Sequence, residues 1–221
     1  MRYPCLVVDH DDTVVDSTAT VHYPCFVEYT GIYHPEVHYT LDEYIKDNFD
    51  PGIVALFRDI IGMSEDEMER EQRYWNDYVK RHVPRAYDGM RELLWRHKRS
   101  GGTLCVVSHS YTENILRDYR AHDLPAPERI YGWDSDPERR KPAPWPIYQI
   151  ERELGLRPEQ LVVIDDLKPG KDMADRAGVD FIAAGWTHTV PHIIETMQRI
   201  CPHYCRTVAE LAALLLDETE A

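Results

Sequence analysis

Short strand-like runs at 5–8 (CLVV), 103–107 (TLCVV), 161–164 (LVVI) and 179–183 (VDFIA), with a weaker one near 129–131, constrain this chain more than any other feature. A strand exposed on one face alternates apolar and polar residues, whereas a nearly continuous apolar run is covered on both. Helical patterns separate the later runs, at about 86–100, 111–121, 144–155, 168–177 and 190–199. Strands of this kind alternating with helices predict an α/β fold with a Rossmann-like parallel sheet. Glycines mark the joints: Gly101 and Gly102 before one strand, Gly155 after a helix, Gly178 before another strand.

From about residue 17 to 84 that rhythm stops. No strand is evident, and helices are expected at 41–48, 52–61 and 64–82. The last opens on Ser64 with Glu67 three residues on, the spacing of a capping box. The chain therefore divides into an α/β core, 1–16 and 85–221, and a small all-helical insertion, 17–84. The many aromatic residues of the insertion, Phe26, Tyr44 and Trp75 among them, form its core, with one or two left to face a ligand. Residues 187–221 are expected to add one or two helices beside the sheet, ending in a solvated DETEA tail.

A formal net charge of -14 argues against a sequence-independent grip on nucleic acid. No apolar run approaches membrane-spanning length, and the start MRYPCLVVDH lacks the form of a signal peptide. Cys5 and Cys105 fall in core strands. Cys201 and Cys205 flank His203 without a second ligand pair, so CPHYC is not read as a zinc site. The expected location is the reducing cytoplasm.

The conspicuous polar residues fall just beyond the strands. Asp9 and Asp11 follow 5–8, Ser108 follows 103–107, and Asp165 and Asp166 follow 161–164. In a parallel α/β sheet that is where ligands bind. Carboxylates converging there suit Mg²⁺, which takes oxygen ligands and bridges them to a phosphate. Lys141, in the loop before the helix at 144–155, supplies a cation for the remaining phosphate oxygens.

These residues together resemble the haloacid dehalogenase superfamily, in particular members with a helical cap after the first strand, such as phosphoglycolate phosphatases and β-phosphoglucomutases. The motifs are Asp9-His10-Asp11-Asp12-Thr13, VVSHS with Ser108, Lys141-Pro142-Ala143-Pro144, and VVIDDLKPG with Asp165 and Asp166. They occur in the family's order over roughly residues 3–186. Two positions depart from the pattern: Asp12 stands where glycine is common, and His109 where asparagine is common.

The resemblance implies a Mg²⁺-dependent phosphatase acting on a small phosphorylated metabolite, with the cap closing over it. Asp9 is then the nucleophile that forms an aspartyl-phosphate. Asp11 carries the proton, with a pKa expected to be raised, and its backbone carbonyl joins Asp9, Asp165 and Asp166 at the metal. Ser108 and Lys141 hold the phosphoryl oxygens, and His109 contacts the substrate. A nucleotide, a sugar phosphate and phosphoglycolate all fit this reading.

Ser108 is also a natural helix cap, and Asp165 could stand one layer behind the metal. His10 and Asp12 are read as bystanders, Asp16 and Ser17 as hinge residues. Asp172 is a secondary metal candidate and Asp175 a surface group. His22, Tyr23, Arg58 and Arg73 are the cap residues considered for specificity. A phosphomutase would keep the same set. A dehalogenase would not need Asp11, and a non-enzymatic binding protein would not need four clustered carboxylates.

Overall fold

Side-by-side pairing of the apolar runs satisfies their backbone groups while both faces are buried, and the chain achieves this with one six-stranded sheet. The computed structural model describes residues 2–216, so the DETEA tail at 217–221 lies outside the described residues. The strands are β1 (Cys5–Val8), β2 (Val15–Asp16), β3 (Arg85–Ala86), β4 (Thr103–Val107), β5 (Arg129–Tyr131), β6 (Leu161–Asp165), β7 (Asp180–Ala184) and β8 (His203–Cys205). The helices are α1 (Tyr23–Tyr33), α2 (Leu41–Asp47), α3 (Ile53–Ala55), α4 (Glu65–Arg81), α5 (Met90–Arg99), α6 (Thr112–Ala121), α7 (Trp145–Leu154), α8 (Lys168–Ala177), α9 (Pro191–Ile200) and α10 (Val208–Leu215).

The sheet runs β5-β4-β1-β6-β7-β8, with every pair parallel. Alternation along β1 explains the three layers. Leu6 and Val8 pack with Met90, Leu94, Ile115 and Leu211 of α5, α6 and α10. Cys5 and Val7 pack on the other face with Ile150, Met173 and Met197 of α7, α8 and α9. β1 is completely buried because helices cover both faces and strands flank both edges.

The C-terminal region departs from expectation. Residues 187–221 add a strand as well as helices: β8 continues the sheet, pairing His203 with Ile182 and Cys205 with Ala184. Its sequence, His-Tyr-Cys, is too short to show a period, and only the open edge of β7 gives it a partner. Strand formation also separates the CPHYC cysteines, since Cys201 packs in one layer and Cys205 in the other. All five cysteines are free and buried.

Between β2 and β3 the chain is helical. Phe26, Tyr29, Tyr44, Leu56, Phe57 and Met63 form one core there, and Val21, Cys25, Tyr78 and Val79 a second. Thr40–Glu43 and Ser64–Glu67 close capping boxes at α2 and α4. The helix expected at 52–61 is regular only over Ile53–Ala55 and winds more loosely through Leu56–Ile61. β2 and β3 form an antiparallel ribbon where the chain leaves the sheet and returns, and Arg85 donates to the Asp16 carboxylate at 2.9 Å. No helix of the described residues is long and apolar enough to cross a membrane.

Ile150 is completely buried between α7 and the sheet. Ile150→Ala is expected to cost about 2–5 kcal/mol in urea-induced unfolding, with the slope against urea unchanged. A cost of a few tenths would mean that this layer does not carry the core.

Candidate active site

The winding of the sheet reverses at β1, which has β4 on one side and β6 on the other. An open α/β sheet leaves a crevice beyond its carboxyl ends at such a point. Asp9 leaves β1 with its N–H donating to the Ile164 carbonyl at 2.8 Å, and Ser108 leaves β4 with its N–H donating to the Tyr131 carbonyl at 3.0 Å. Asp165 ends β6 and Asp166 follows it. All four side chains are buried.

Lys141 reaches this cluster from the loop before α7. Its Nζ lies 2.9 Å from Asp9 Oδ1 and 2.6 Å from Asp165 Oδ2. Burial opposes a charged lysine, but the Asp165 and Asp9 carboxylates outweigh it and hold the ammonium above the usual lysine range. His109 lines the same cavity, and its Nε2 lies 3.1 Å from the Lys141 carbonyl. The ring nitrogen donates there, so His109 fixes the backbone that carries Lys141.

Asp165 is held as closely as any group in the site. Its Oδ1 accepts the Leu167 N–H at 2.9 Å, and its carboxyl lies against the first turn of α8. Gly170 makes that approach possible, since a Cβ on it would stand 2.2 Å from Asp165 Cγ. Burial pushes the Asp165 carboxyl upward against the pull of Lys141. Burial, with Asp165, Asp12 and Asp9 nearby, pushes Asp166 well above the ordinary carboxylate range. One lysine does not balance this much negative charge.

The donor set therefore fits a divalent cation. Asp9, Asp165 and Asp166 each present a carboxylate oxygen, all within 4.8 Å of one another. Hard oxygen donors at this density match Mg²⁺ better than a soft-ligand metal.

Asp11 stands apart from that triad. Ser110 Oγ donates to its Oδ2, and His22 Nε2 lies 3.5 Å from its Oδ1. Trp75 Nε1–H donates to His22 Nδ1 at 3.1 Å, which assigns the proton of a neutral His22 to Nε2, facing Asp11. The expected raised pKa of Asp11 is not what these neighbours produce. Burial does push it upward, but the bond and charge of His22, the charge of His10 and the Ser110 bond together hold it well below the usual carboxylate range.

The other residues of the first loop are absorbed by structure. His10 turns away and bonds Asp118 through Nε2 at 3.0 Å, completely buried. Asp12 has φ 56°, a left-handed backbone that aspartate tolerates better than most residues, which explains how it replaces glycine. Its Oδ1 accepts the Thr18 N–H at 2.9 Å where the helical segment begins. Ser108 does not cap α6, whose N-cap is Tyr111; its Oγ accepts the Ser110 N–H at 3.1 Å.

Asp172 lies outside the cluster and pairs with Lys168 at 3.8 Å, while Asp175 pairs with Lys171. Among the cap candidates only His22 lines the cavity. Tyr23 bonds the Tyr39 carbonyl, and exposed Arg58 and Arg73 pair with Asp59 and Glu69. Sequence reasoning missed Ser110, Glu71, Trp133 and His188, all of which line the cavity, and it named Trp75 only among the aromatic residues of the insertion. Glu71 had a readable signal. With Met68 and Trp75 it occupies one face of α4, a charged residue in an otherwise apolar stripe.

Residues 6–184 match the family model described as haloacid dehalogenase-like hydrolase. Solved structures share the fold across nearly the whole chain. A haloacid dehalogenase-like family hydrolase from Streptococcus pneumoniae is 19% identical, with 97% of this chain and 99% of that one covered and a TM-score of 0.75. A structure described as a predicted phosphoglycolate phosphatase from Haemophilus somnus is 19% identical, with coverages of 98% and 99% and a TM-score of 0.73. CbbY from Rhodobacter sphaeroides, in complex with phosphate, is 21% identical, with coverages of 95% and 96% and a TM-score of 0.68. The search of curated proteins found no match.

Mg²⁺ is expected to raise the melting temperature of the protein, because a ligand that binds only the folded state stabilises it. Gly170→Ala should shift the Mg²⁺ midpoint of that effect about tenfold upward, by displacing the Asp165 carboxylate. An unchanged midpoint in a thermal-shift titration would sink the assignment of Asp165 to the metal.

Proposed function

The chain belongs to the haloacid dehalogenase-like hydrolases, and we propose that within them it is a Mg²⁺-dependent phosphatase of a small phosphomonoester. The observation that supports this reading most directly is one buried cluster at the end of the central strand: Asp9, Asp165 and Asp166, with Lys141 ion-paired to two of them. A surplus of buried carboxylate charge beside a single ammonium is costly unless a cation joins it. A phosphate that approaches such a site then meets the cation and the lysine together.

Asp9, Asp165 and Asp166, with the backbone carbonyl of Asp11, would hold Mg²⁺. Bound there, Mg²⁺ supplies charge compensation for the meeting of an anionic nucleophile with a phosphate. Asp9 attacks phosphorus, the ester P–O bond breaks, and the phosphoryl group is carried as an aspartyl-phosphate. Asp11 gives a proton to the departing oxygen. Water then attacks phosphorus, Asp11 takes the proton, and the Asp9 carboxylate is released. Lys141 and the Ser108 hydroxyl hold the phosphoryl oxygens as charge develops on them.

Asp11 is ionised in the arrangement described, which suits the second half of the cycle. For the first half it takes up a proton from solvent, and His22 Nε2, 3.5 Å from Oδ1, orients the carboxyl that carries it. Because His22 lies on the helical segment between β2 and β3, the proton carrier becomes complete only when that segment is seated on the core. We assign the closing cap to residues 17–84 and the catalytic core to 1–16 and 85–221.

Hydrolysis of 4-nitrophenyl phosphate should require Mg²⁺ and be lost in Asp9→Asn, and Lys141→Ala should lower kcat by on the order of a hundredfold or more. Asp11→Asn should abolish steady turnover. Asp12→Asn should retain most of it, because an amide oxygen can still accept the Thr18 N–H and asparagine tolerates a left-handed backbone. Metal-independent turnover, or equal losses in the Asp11 and Asp12 variants, would overturn this mechanism.

A further inference from the structure

Beyond the carboxylates the crevice opens into a cavity of about 520 Å³ between core and cap, which falls within the size range of small-molecule sites, roughly 300–1,000 Å³. That is far more room than a phosphoryl group needs, so the cavity wall bears on what the phosphate is attached to. The wall is largely aromatic and aliphatic: Phe26, Tyr44, Phe57 and Trp75 come from the cap, and Trp133 closes the core side. Such flat side chains favour a flat apolar body through stacking and burial.

The charge on this wall is just as selective. Among the described residues, no lysine or arginine of the cap lines the cavity. A leaving group with its own carboxylate, such as glycolate, would find no lysine or arginine on the cap side and would face a field set largely by Asp9, Asp11, Asp165 and Asp166. A polyol would exchange many hydrogen bonds to water for few in return.

The cap contributes one acidic group instead. Glu71 is buried on α4, one helical turn before Trp75, and among the described residues no lysine or arginine pairs with it, His22 being the one positive influence on its carboxyl. Burial pushes its carboxyl up to about 7. A carboxyl that faces a ligand cavity without a partner is costly unless the ligand brings a donor or a positive charge.

Building on the phosphatase reading, we propose that the substrate is the phosphate ester of a flat, apolar or aromatic alcohol carrying an amine directed at Glu71, and neither phosphoglycolate nor a sugar phosphate. Phosphoryl chemistry takes place at Asp9, and the organic group lies among Phe26, Phe57, Trp75 and Trp133. The amine replaces the missing partner of Glu71.

Five probes test this with the intact protein and Mg²⁺: 4-(aminomethyl)benzyl phosphate, 4-methylbenzyl phosphate, phosphoglycolate, glucose 6-phosphate and acetyl phosphate. Acetyl phosphate has a leaving group too small to engage the cap and reports on the phosphoryl site alone. Both benzyl esters should exceed phosphoglycolate and glucose 6-phosphate in kcat/KM by about a hundredfold. The amine should add about tenfold over the methyl group, as expected for a charged hydrogen bond. Glu71→Gln should collapse that amine-to-methyl ratio toward one, a comparison made within one preparation. If acetyl phosphate is hydrolysed but phosphoglycolate or glucose 6-phosphate equals the benzyl esters, the inference falls and the phosphatase reading stands. An amine-to-methyl ratio unaltered in Glu71→Gln also overturns it. If no probe, acetyl phosphate included, is turned over, both readings fall together.

Discussion

Lys141, inserted between Asp9 and Asp165 at the end of the central strand, is the contact on which the rest of the molecule depends. Buried carboxylates repel one another and lose their hydration, and a single ammonium offsets only part of that cost. The arrangement persists because surrounding groups leave the charges nowhere else to go. Asp165 is fixed by the Leu167 N–H and by the absence of a side chain at Gly170, and the Lys141 backbone is fixed by His109. A site built this way is short of positive charge, and its donor set fits a divalent cation.

The same constraint explains why the site sits in the middle of the sheet. β1 has every neighbour in place, covered on both faces and paired on both edges. A carboxylate at its end inherits rigid surroundings, and catalytic groups on rigid elements keep their geometry. The helical segment lines the cavity above the site; the chain reaches it within a few residues of Asp12 and leaves it through the ribbon closed by Asp16 and Arg85. Through Trp75 and His22 the helical segment also touches Asp11, so the cavity wall and the neighbours of Asp11 are parts of one contact network.

Much of this was legible from residue patterns. Asp9, Asp11, Ser108, Asp165 and Asp166 each follow an apolar run, and parallel pairing brings the ends of such runs together whatever the loops do. Lys141 could be found by its Lys-Pro-Ala-Pro context. Less legible were features set by long-range contact. β8 is a strand only because β7 offers an open edge. Asp11 is held below the usual carboxylate range, contrary to expectation, because a histidine from the helical region lies against it. Arg58 and Arg73 were plausible substrate ligands by charge alone, and each is spent on a neighbouring carboxylate at the surface.

By itself the sequence determined the parallel sheet, the placement of the acidic residues beyond its strands and the presence of a helical insertion, because burial on both faces and helical periodicity are local properties of the chain. Tertiary structure alone decided which carboxylates share the cluster, which histidine faces Asp11 and what lines the cavity above it. Those outcomes depend on distances between residues far apart in the chain, from Asp9 to Lys141 and Asp165 and from Asp11 to His22 and Trp75, and they are set only when helices and sheet pack together.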